Sequence, residues 1–208
     1  MQPDPLPLAP APPNGANATV TLHSCTHKSV HPDHLRTFPT PVPPPPDIMA
    51  APPLLPLEEL DLTNTVASQA DVQGLLAQRG TFAMLDGVLF EDAEAKQIVG
   101  FKDLAEDDWW AADHIPGRPL FPGALMVECA AQLSSYDFMK NRGGVSDGKF
   151  VGFGGMNKVR FRGIVSPPAR MLICAVLKRA RSSMFVYETE GWVDGSRVFE
   201  AEIIGVVV

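Results

Sequence analysis

The chain has 208 residues, a formal net charge of −7 and a hydrophobic content of 45%. The acidic balance, together with the lack of a recognisable nucleic-acid-binding module, argues against a nucleic-acid partner. No run approaches the roughly 18 consecutive apolar residues of a membrane-spanning helix, so we expect no membrane span. Three scattered cysteines favour reduced thiols over a disulfide framework, and no signal-peptide pattern opens the chain, so we expect a cytoplasmic protein.

Proline divides the chain into two parts. Sixteen of the 21 prolines precede Leu57, and residues 1–57 offer few periodic apolar positions with which to build a core. We therefore predict a disordered Pro-rich tail over residues 1–57 and a single domain over residues 58–208. Met49 directly precedes the second part and is a plausible true start of the protein.

The tail contains a concentration of potential metal ligands. Their spacing fits no structural zinc pattern, so we expect no metal site there. The residues concerned are His23, Cys25, His27, His31 and His34.

The second part shows alternating helix and strand signals. Ser68 can cap a helix over residues 69–78, and a long apolar helix is predicted over residues 123–139. Asp194-Gly195 is a hairpin turn signal, and residues 171–177 are apolar on both faces, as in a strand buried on both sides. Strands are predicted over 82–91, 95–104, 150–153, 157–161, 171–181, 184–192 and 197–207. The pattern indicates an α+β fold in which an antiparallel sheet wraps around one long central helix.

Residues 114–128, HIPGRPLFPGALMVE, combine several groups that could carry chemistry. Residues that precede proline favour extended backbone, so the three prolines predict that His114 lies in a stiff, non-helical loop. The helix that follows offers unpaired N–H groups and a positive dipole end near Gly123. Glu128 has apolar sequence neighbours and is not expected to be simply solvated.

This segment resembles the active-site stretch of the FabZ-type 3-hydroxyacyl-[acyl-carrier-protein] dehydratases, which have the hotdog fold. The family pattern is His-Phe-Pro-Gly-x-Pro-x-x-Pro-Gly-Val-Leu-x-x-Glu, and this chain has Ile115 for the Phe and Ala124 for the Val. The resemblance implies that His114 and Glu128 are catalytic and that the Gly123 N–H polarises the thioester carbonyl. Glu128, where the dehydratase/isomerase branch has Asp, favours the plain dehydratase.

The resemblance also implies the reaction and the assembly. A (3R)-3-hydroxyacyl thioester would be dehydrated to the trans-2-enoyl thioester in fatty-acid or related lipid biosynthesis, with no metal or organic cofactor. His114 and Glu128 would come from different subunits of a homodimer, or of a trimer of dimers. Two alternatives stay open: a non-catalytic hotdog subunit that binds acyl carrier protein, and a hotdog thioesterase.

A basic stretch without acids points to a docking surface. Residues 148–187 contain eight basic residues and no Asp or Glu. One interpretation is a surface for an acidic partner and a phosphate, and the resemblance implies acyl carrier protein with its phosphopantetheine-linked substrate. The other is a solvated strand face paired with acids elsewhere. The candidate binding residues are Lys158, Arg160, Arg162, Lys178, Arg179 and Arg181.

Overall fold

The computed structural model describes residues 52–146 and 148–208. The predicted disorder of residues 1–51, the metal-ligand cluster of the tail and the alternative start at Met49 lie outside the described residues. No helix in the described part is both long and apolar enough to cross a membrane.

Seven strands of the described part of the chain form one antiparallel sheet in the order β1-β2-β3-β5-β6-β7-β4. The two-residue loop Asp194-Gly195 joins β6 to β7, which confirms the predicted hairpin. Their bounds are β1 (Ala67–Ser68), β2 (Gly87–Asp92), β3 (Gln97–Leu104), β4 (Val151–Phe161), β5 (Ala169–Arg181), β6 (Met184–Val193) and β7 (Ser196–Val207).

Among residues 52–146 and 148–208, three α-helices accompany the sheet: α1 (Gln69–Leu75), α2 (Ala111–His114) and α3 (Gly123–Asn141). Ser68 caps α1 in a reciprocal capping box with Asp71, as its residue type predicts. The helix ends at Leu75, three residues before the predicted end, because Leu76 is extended.

Helix α3 packs against one face of the sheet. It contacts β3, β4, β5, β6 and β7, and its core-facing residues include Cys129, Ala130 and Leu133, each 0% exposed. The close approach of helix and sheet is visible at Gly100, where the Leu133 side chain occupies the space that a β-carbon would need. The antiparallel sheet around a long central helix confirms the predicted α+β hotdog architecture.

The outer face of the sheet has its own apolar cluster, covered by residues 54–62, which we call the outer strap. Leu55 is 1% exposed and packs with Val99 and Cys174, both 0% exposed. The Leu54 N–H donates to Glu190 Oε2 at 2.9 Å, which ties the strap to β6. The packed domain thus includes residues on the tail side of the boundary predicted at residue 57, and the strap explains why β5 is buried on both faces.

Candidate active site

His114 is the last residue of α2, not part of a non-helical loop as predicted. Its N–H donates to the Trp110 carbonyl at 3.0 Å, and the chain turns extended only at Ile115, with φ −137° and ψ 96°. The prediction was wrong because Pro116 restricts the residue directly before it and leaves His114 free to complete a helical turn.

A tight turn reverses the chain after His114. The Arg118 N–H donates to the Ile115 carbonyl at 3.0 Å, with Pro116 and Gly117 between them. Gly117 has φ +76°, the value that the third position of a type II turn requires and that glycine adopts without a steric penalty. The Pro-Gly pair therefore fixes how the loop leaves α2.

The imidazole of His114 is held in one orientation. Its Nδ1 lies 2.8 Å from the Leu120 carbonyl oxygen. A carbonyl oxygen can only accept, so the neutral ring carries its proton on Nδ1 and leaves Nε2 with a free lone pair. Because the side chain is exposed, Nε2 is available as a base.

Gly123 is the first residue of α3, so its N–H has no partner within the helix. A β-carbon at this position would lie 2.7 Å from Cε1 of Phe161 on β4. The absence of a side chain therefore lets the Phe161 ring pack directly on the start of the helix. This end of α3 offers amide donors beside an apolar wall, an arrangement suited to a carbonyl oxygen that gains negative charge.

Glu128 lies in the second turn of α3 and is half-buried. Gln132, one turn further on, donates from Nε2 to Glu128 Oε1 at 2.7 Å. Oε1 is then the accepting oxygen, and a proton on this carboxyl group would sit on Oε2.

Gln132 is a site residue that our sequence analysis did not identify. It is 2% exposed, donates to the Phe82 carbonyl at 2.7 Å and accepts from the Met84 N–H at 2.9 Å. Its spacing of four residues from Glu128 is a signal that a sequence reading could have used. Its backbone partners, about 50 residues away, could not have been identified from that spacing.

Glu128 and Gln132 face a small cavity of about 40 Å³ between α3, β4 and β7. Neither His114 nor Gly123 is among the residues that line it. Helix geometry gives the reason: five residues at about 100° each place Glu128 roughly 140° around the axis from Gly123. Within one chain, then, the start of the helix lies on a different side of α3 from the carboxyl group of Glu128.

The basic residues of β4 and of the segment after it are paired with acids. Lys158 Nζ lies 2.6 Å from Glu202 Oε1, and Arg162 Nη2 lies 2.7 Å from Glu200 Oε1. Arg160 Nη1 is 3.9 Å from the same Glu200 oxygen. This pairing is what the solvated-face interpretation predicts for these three residues.

The second basic group lies at the end of β5. Lys178 pairs with Glu188 at 3.0 Å, whereas Arg179 and Arg181 are exposed and have no acidic partner among the described residues. Within residues 52–146 and 148–208, no three His, Cys, Asp or Glu side chains are grouped so that they could hold a metal ion.

Comparison with known sequences supports the resemblance seen at residues 114–128. The sequence model of the FabA-like domain matches residues 76–202. The chain is 32% identical over 146 residues to the 3-hydroxyacyl-[acyl-carrier-protein] dehydratase FabZ of Agrobacterium fabrum, covering 70% of this chain and 93% of the relative. It is 34% identical over 134 residues to the FabZ of Syntrophotalea carbinolica, covering 64% of this chain and 89% of the relative.

Solved structures share the fold at low sequence identity. The dehydratase heterocomplex ApeI:P from Xenorhabdus doucetiae matches with a TM-score of 0.54 and 16% identity, covering 65% of this chain and 89% of that one. A mutant thioesterase from Pseudomonas aeruginosa matches with a TM-score of 0.51 and 15% identity, covering 71% and 98%.

Proposed function

Because the chain belongs to the FabZ-type dehydratases of the FabA-like family, we propose that it dehydrates (3R)-3-hydroxyacyl thioesters linked to acyl carrier protein. The product is the trans-2-enoyl thioester of fatty-acid or related lipid biosynthesis. The observation that carries the proposal is the His114 imidazole, whose Nδ1 is tied to Leu120 and whose Nε2 is left as an exposed base.

The chemistry follows from these groups. The substrate's thioester oxygen accepts a hydrogen bond from the Gly123 N–H, which stabilises the enolate-like transition state; one such donor typically contributes about 10²–10³ in rate. His114 Nε2 takes the α-proton, and the electron pair of that C–H bond becomes the C2–C3 π bond. The C3–O bond breaks, and the hydroxyl group leaves as water with the proton from Glu128 Oε2.

We also propose that the working unit is a homodimer, or a trimer of dimers, in which His114 of one subunit acts with Glu128 of the other. His114 is not among the residues that line the cavity at Glu128, which supports this arrangement. Strand β4 is an edge of the sheet, and an uncovered edge favours pairing with a second copy. Three of its apolar residues are about half exposed, as a subunit interface would require: Phe153 53%, Met156 50% and Phe161 53%; Phe150, directly before the strand, is 59% exposed.

The basic residues at the end of β5 would face the acidic carrier in this proposal. Arg179 and Arg181 have no acidic partner in the described part of the chain, so their charge is available to a partner molecule. Four other basic residues would first have to release the glutamates with which they pair before they could bind the carrier: Lys158, Arg160, Arg162 and Lys178.

We also propose that the reaction takes place in the cytoplasm.

The decisive experiment follows the absorbance of the enoyl thioester with crotonyl and longer 2-enoyl substrates, on coenzyme A and on acyl carrier protein. Loss of the enoyl band without free thiol is the expected result, and His114→Ala and Glu128→Gln should each abolish it. Release of free thiol would instead indicate a thioesterase. Carrier binding without any turnover would indicate a non-catalytic subunit.

A further inference from the structure

Phe121 lies in the loop between α2 and α3, after His114 and shortly before Gly123. Its side chain is 3% exposed, whereas the side chain of His114 is exposed to solvent. An exposed imidazole keeps one orientation only when the groups that bind it are themselves fixed by buried neighbours. Phe121 contacts those groups in two ways.

The peptide group that joins Leu120 to Phe121 makes two hydrogen bonds. Its carbonyl oxygen lies 2.8 Å from His114 Nδ1, and its N–H donates to the Val165 carbonyl at 2.8 Å. A trans peptide group is planar and rigid, with its N–H and C=O pointing in opposite directions, so a constraint on one end fixes the other. The Val165 carbonyl therefore sets the direction of the oxygen that orients the imidazole.

The segment that carries Val165 is anchored to the sheet. The N–H groups of Arg162 and Gly163 donate to the carbonyl of Val198 on β7, at 2.7 and 3.2 Å. The Val165 side chain is 2% exposed and belongs to the main apolar core. The acceptor of the Phe121 N–H is thus a fixed point of the domain.

The ring of Phe121 supports the backbone of His114 by a second route. It makes an edge contact with the Trp110 ring, with centroids 5.2 Å apart and planes at 63°. Trp110 is 3% exposed, and its carbonyl accepts the N–H of His114 at 3.0 Å. The imidazole and the backbone of His114 are therefore bound by two different groups, and Phe121 holds both.

We propose that Phe121 is a positioning residue for His114: its backbone fixes the imidazole, and its ring fixes the helical turn that carries it. This rests on the proposed function, because the position of Nε2 matters to the rate only if Nε2 takes the α-proton. A misplacement of about 1 Å can cost roughly 100-fold in rate even when the altered residue does not react.

Two changes at position 121 test the two routes separately. Phe121→Leu removes the ring contact and keeps the N–H. An ester in place of the Leu120–Phe121 amide, made by incorporating phenyllactic acid, keeps the ring, removes the N–H and weakens the Leu120 carbonyl as an acceptor. Each change should lower kcat for crotonyl-pantetheine, a small 2-enoyl thioester, about 10- to 100-fold with little change in KM.

The ¹⁵N resonances of the imidazole report its positioning without any substrate. In wild type we expect the tautomer protonated on Nδ1, because Nδ1 faces the Leu120 carbonyl. In both changed proteins we expect a mixture in which the tautomer protonated on Nε2 is also present. The spectrum of His114→Ala identifies the resonances of His114 among those of the five histidines of the full-length chain.

Phe138→Leu is the matched structural control. Phe138 is also 3% exposed and packs against Phe185, with ring centroids 4.5 Å apart, near the C-terminal end of α3. This variant should lose about as much stability as Phe121→Leu but keep the wild-type kcat and a single tautomer of His114. Trp110→Phe, which keeps an aromatic ring opposite Phe121, should retain more activity than Trp110→Leu.

Wild-type kcat and a single tautomer in both proteins changed at position 121 would overturn the proposal. Equal losses of kcat in Phe121→Leu and Phe138→Leu, with the tautomer unchanged, would also overturn it, since stability alone would then explain them. If Phe121→Leu does not fold, the ester, which retains every side chain, decides the outcome. Failure of the proposed function would appear separately, as no turnover by wild type while the tautomer still responds to the changes at position 121.

Discussion

The Phe161 ring lies over Gly123 so closely that a β-carbon at position 123 would be 2.7 Å from its Cε1. Helix α3 therefore begins where strand β4 supplies an aromatic wall. This contact joins the helix start to the strand edge that we propose as the subunit interface.

Gly123→Ala should reduce kcat at least 100-fold, because the methyl group forces the Phe161 ring or the first helical turn to move. Overpacking of this kind also costs about 1–3 kcal/mol of stability. Steady-state kinetics with crotonyl-pantetheine and thermal melts measure both effects.

The Gly123/Phe161 pair permits two controls. Gly74→Ala, at a helical glycine with nothing within 4 Å of the added carbon, should leave activity unchanged and raise stability by up to about 1 kcal/mol, because alanine favours the helix more than glycine does. Gly123→Ala combined with Phe161→Leu should recover part of the lost rate. If the double variant recovers nothing, contact with Phe161 is not the cause.

Mixed dimers test the shared site. His114→Ala and Glu128→Gln should each be inactive alone. In a randomly exchanged mixture, half of the dimers carry one intact pair, so about a quarter of wild-type activity should return by symmetry. Activity measured before and after subunit exchange by mild denaturation and refolding provides the readout. A mixture that stays inactive, although mass spectrometry of the native dimers shows exchange, would place both groups in one subunit.

Gln132→Met should lower kcat about tenfold and leave KM unchanged, because Glu128 loses the donor that orients its carboxyl group while substrate contacts remain. The variant also leaves the Met84 N–H buried without an acceptor, which costs about 1–3 kcal/mol. Kinetics measured at temperatures at which the variant is still fully folded report the loss of kcat separately from the loss of stability. Gln132→Glu keeps the acceptor for Met84 but, when ionised, cannot donate to Glu128, so a shifted pH profile of kcat is expected. Wild-type kcat in both variants would show that Gln132 has only a structural role.

The Arg162–Glu200 pair should give a pH-dependent contribution to stability. Hydrogen bonding from Arg162 lowers the pKa of Glu200 from its ordinary value of 4.5. A depressed folded-state pKa stabilises the protein above pH 4.5, and this stabilisation is lost as the pH falls through the folded value. Arg162→Gln should therefore cost up to about 1 kcal/mol at pH 7, for a partly exposed pair, and progressively less below pH 4.5.

Urea unfolding of wild type and Arg162→Gln between pH 3 and pH 7 measures this difference. Arg179→Gln, which removes a cation with no acidic partner in the described residues, is the matched control and should show a flat difference. An Arg162→Gln effect that does not change with pH would exclude ionisation of Glu200 as its source.

Leu55→Ala should lower the free energy of unfolding by about 2–4 kcal/mol, because the leucine is buried under the outer strap and its loss leaves a cavity. Leu75→Ala, at a leucine that is 38% exposed, should cost much less. Chemical denaturation compares the two variants. Equal losses would mean that the strap does not pack on the sheet in solution.

Local sequence determined the elements whose causes are local. Ser68 caps the start of α1, Pro122-Gly123 begins α3, and Asp194-Gly195 forms the turn between β6 and β7. Each of these features depends on the backbone preferences of a few neighbouring residues. The resemblance of residues 114–128 to the FabZ-type active-site pattern pointed to the family that the sequence comparisons show.

The tertiary structure decided which distant groups meet. It placed Gln132 between Glu128 and the backbone of Met84, paired Arg162 with Glu200 38 positions away, and laid the outer strap on β5 and β6. Sequence could not supply these contacts, since a side chain's partner depends on which strand lies beside it. Helix geometry also put Gly123 and Glu128 on different sides of α3, because the rotation of a helix separates residues that lie close together in sequence.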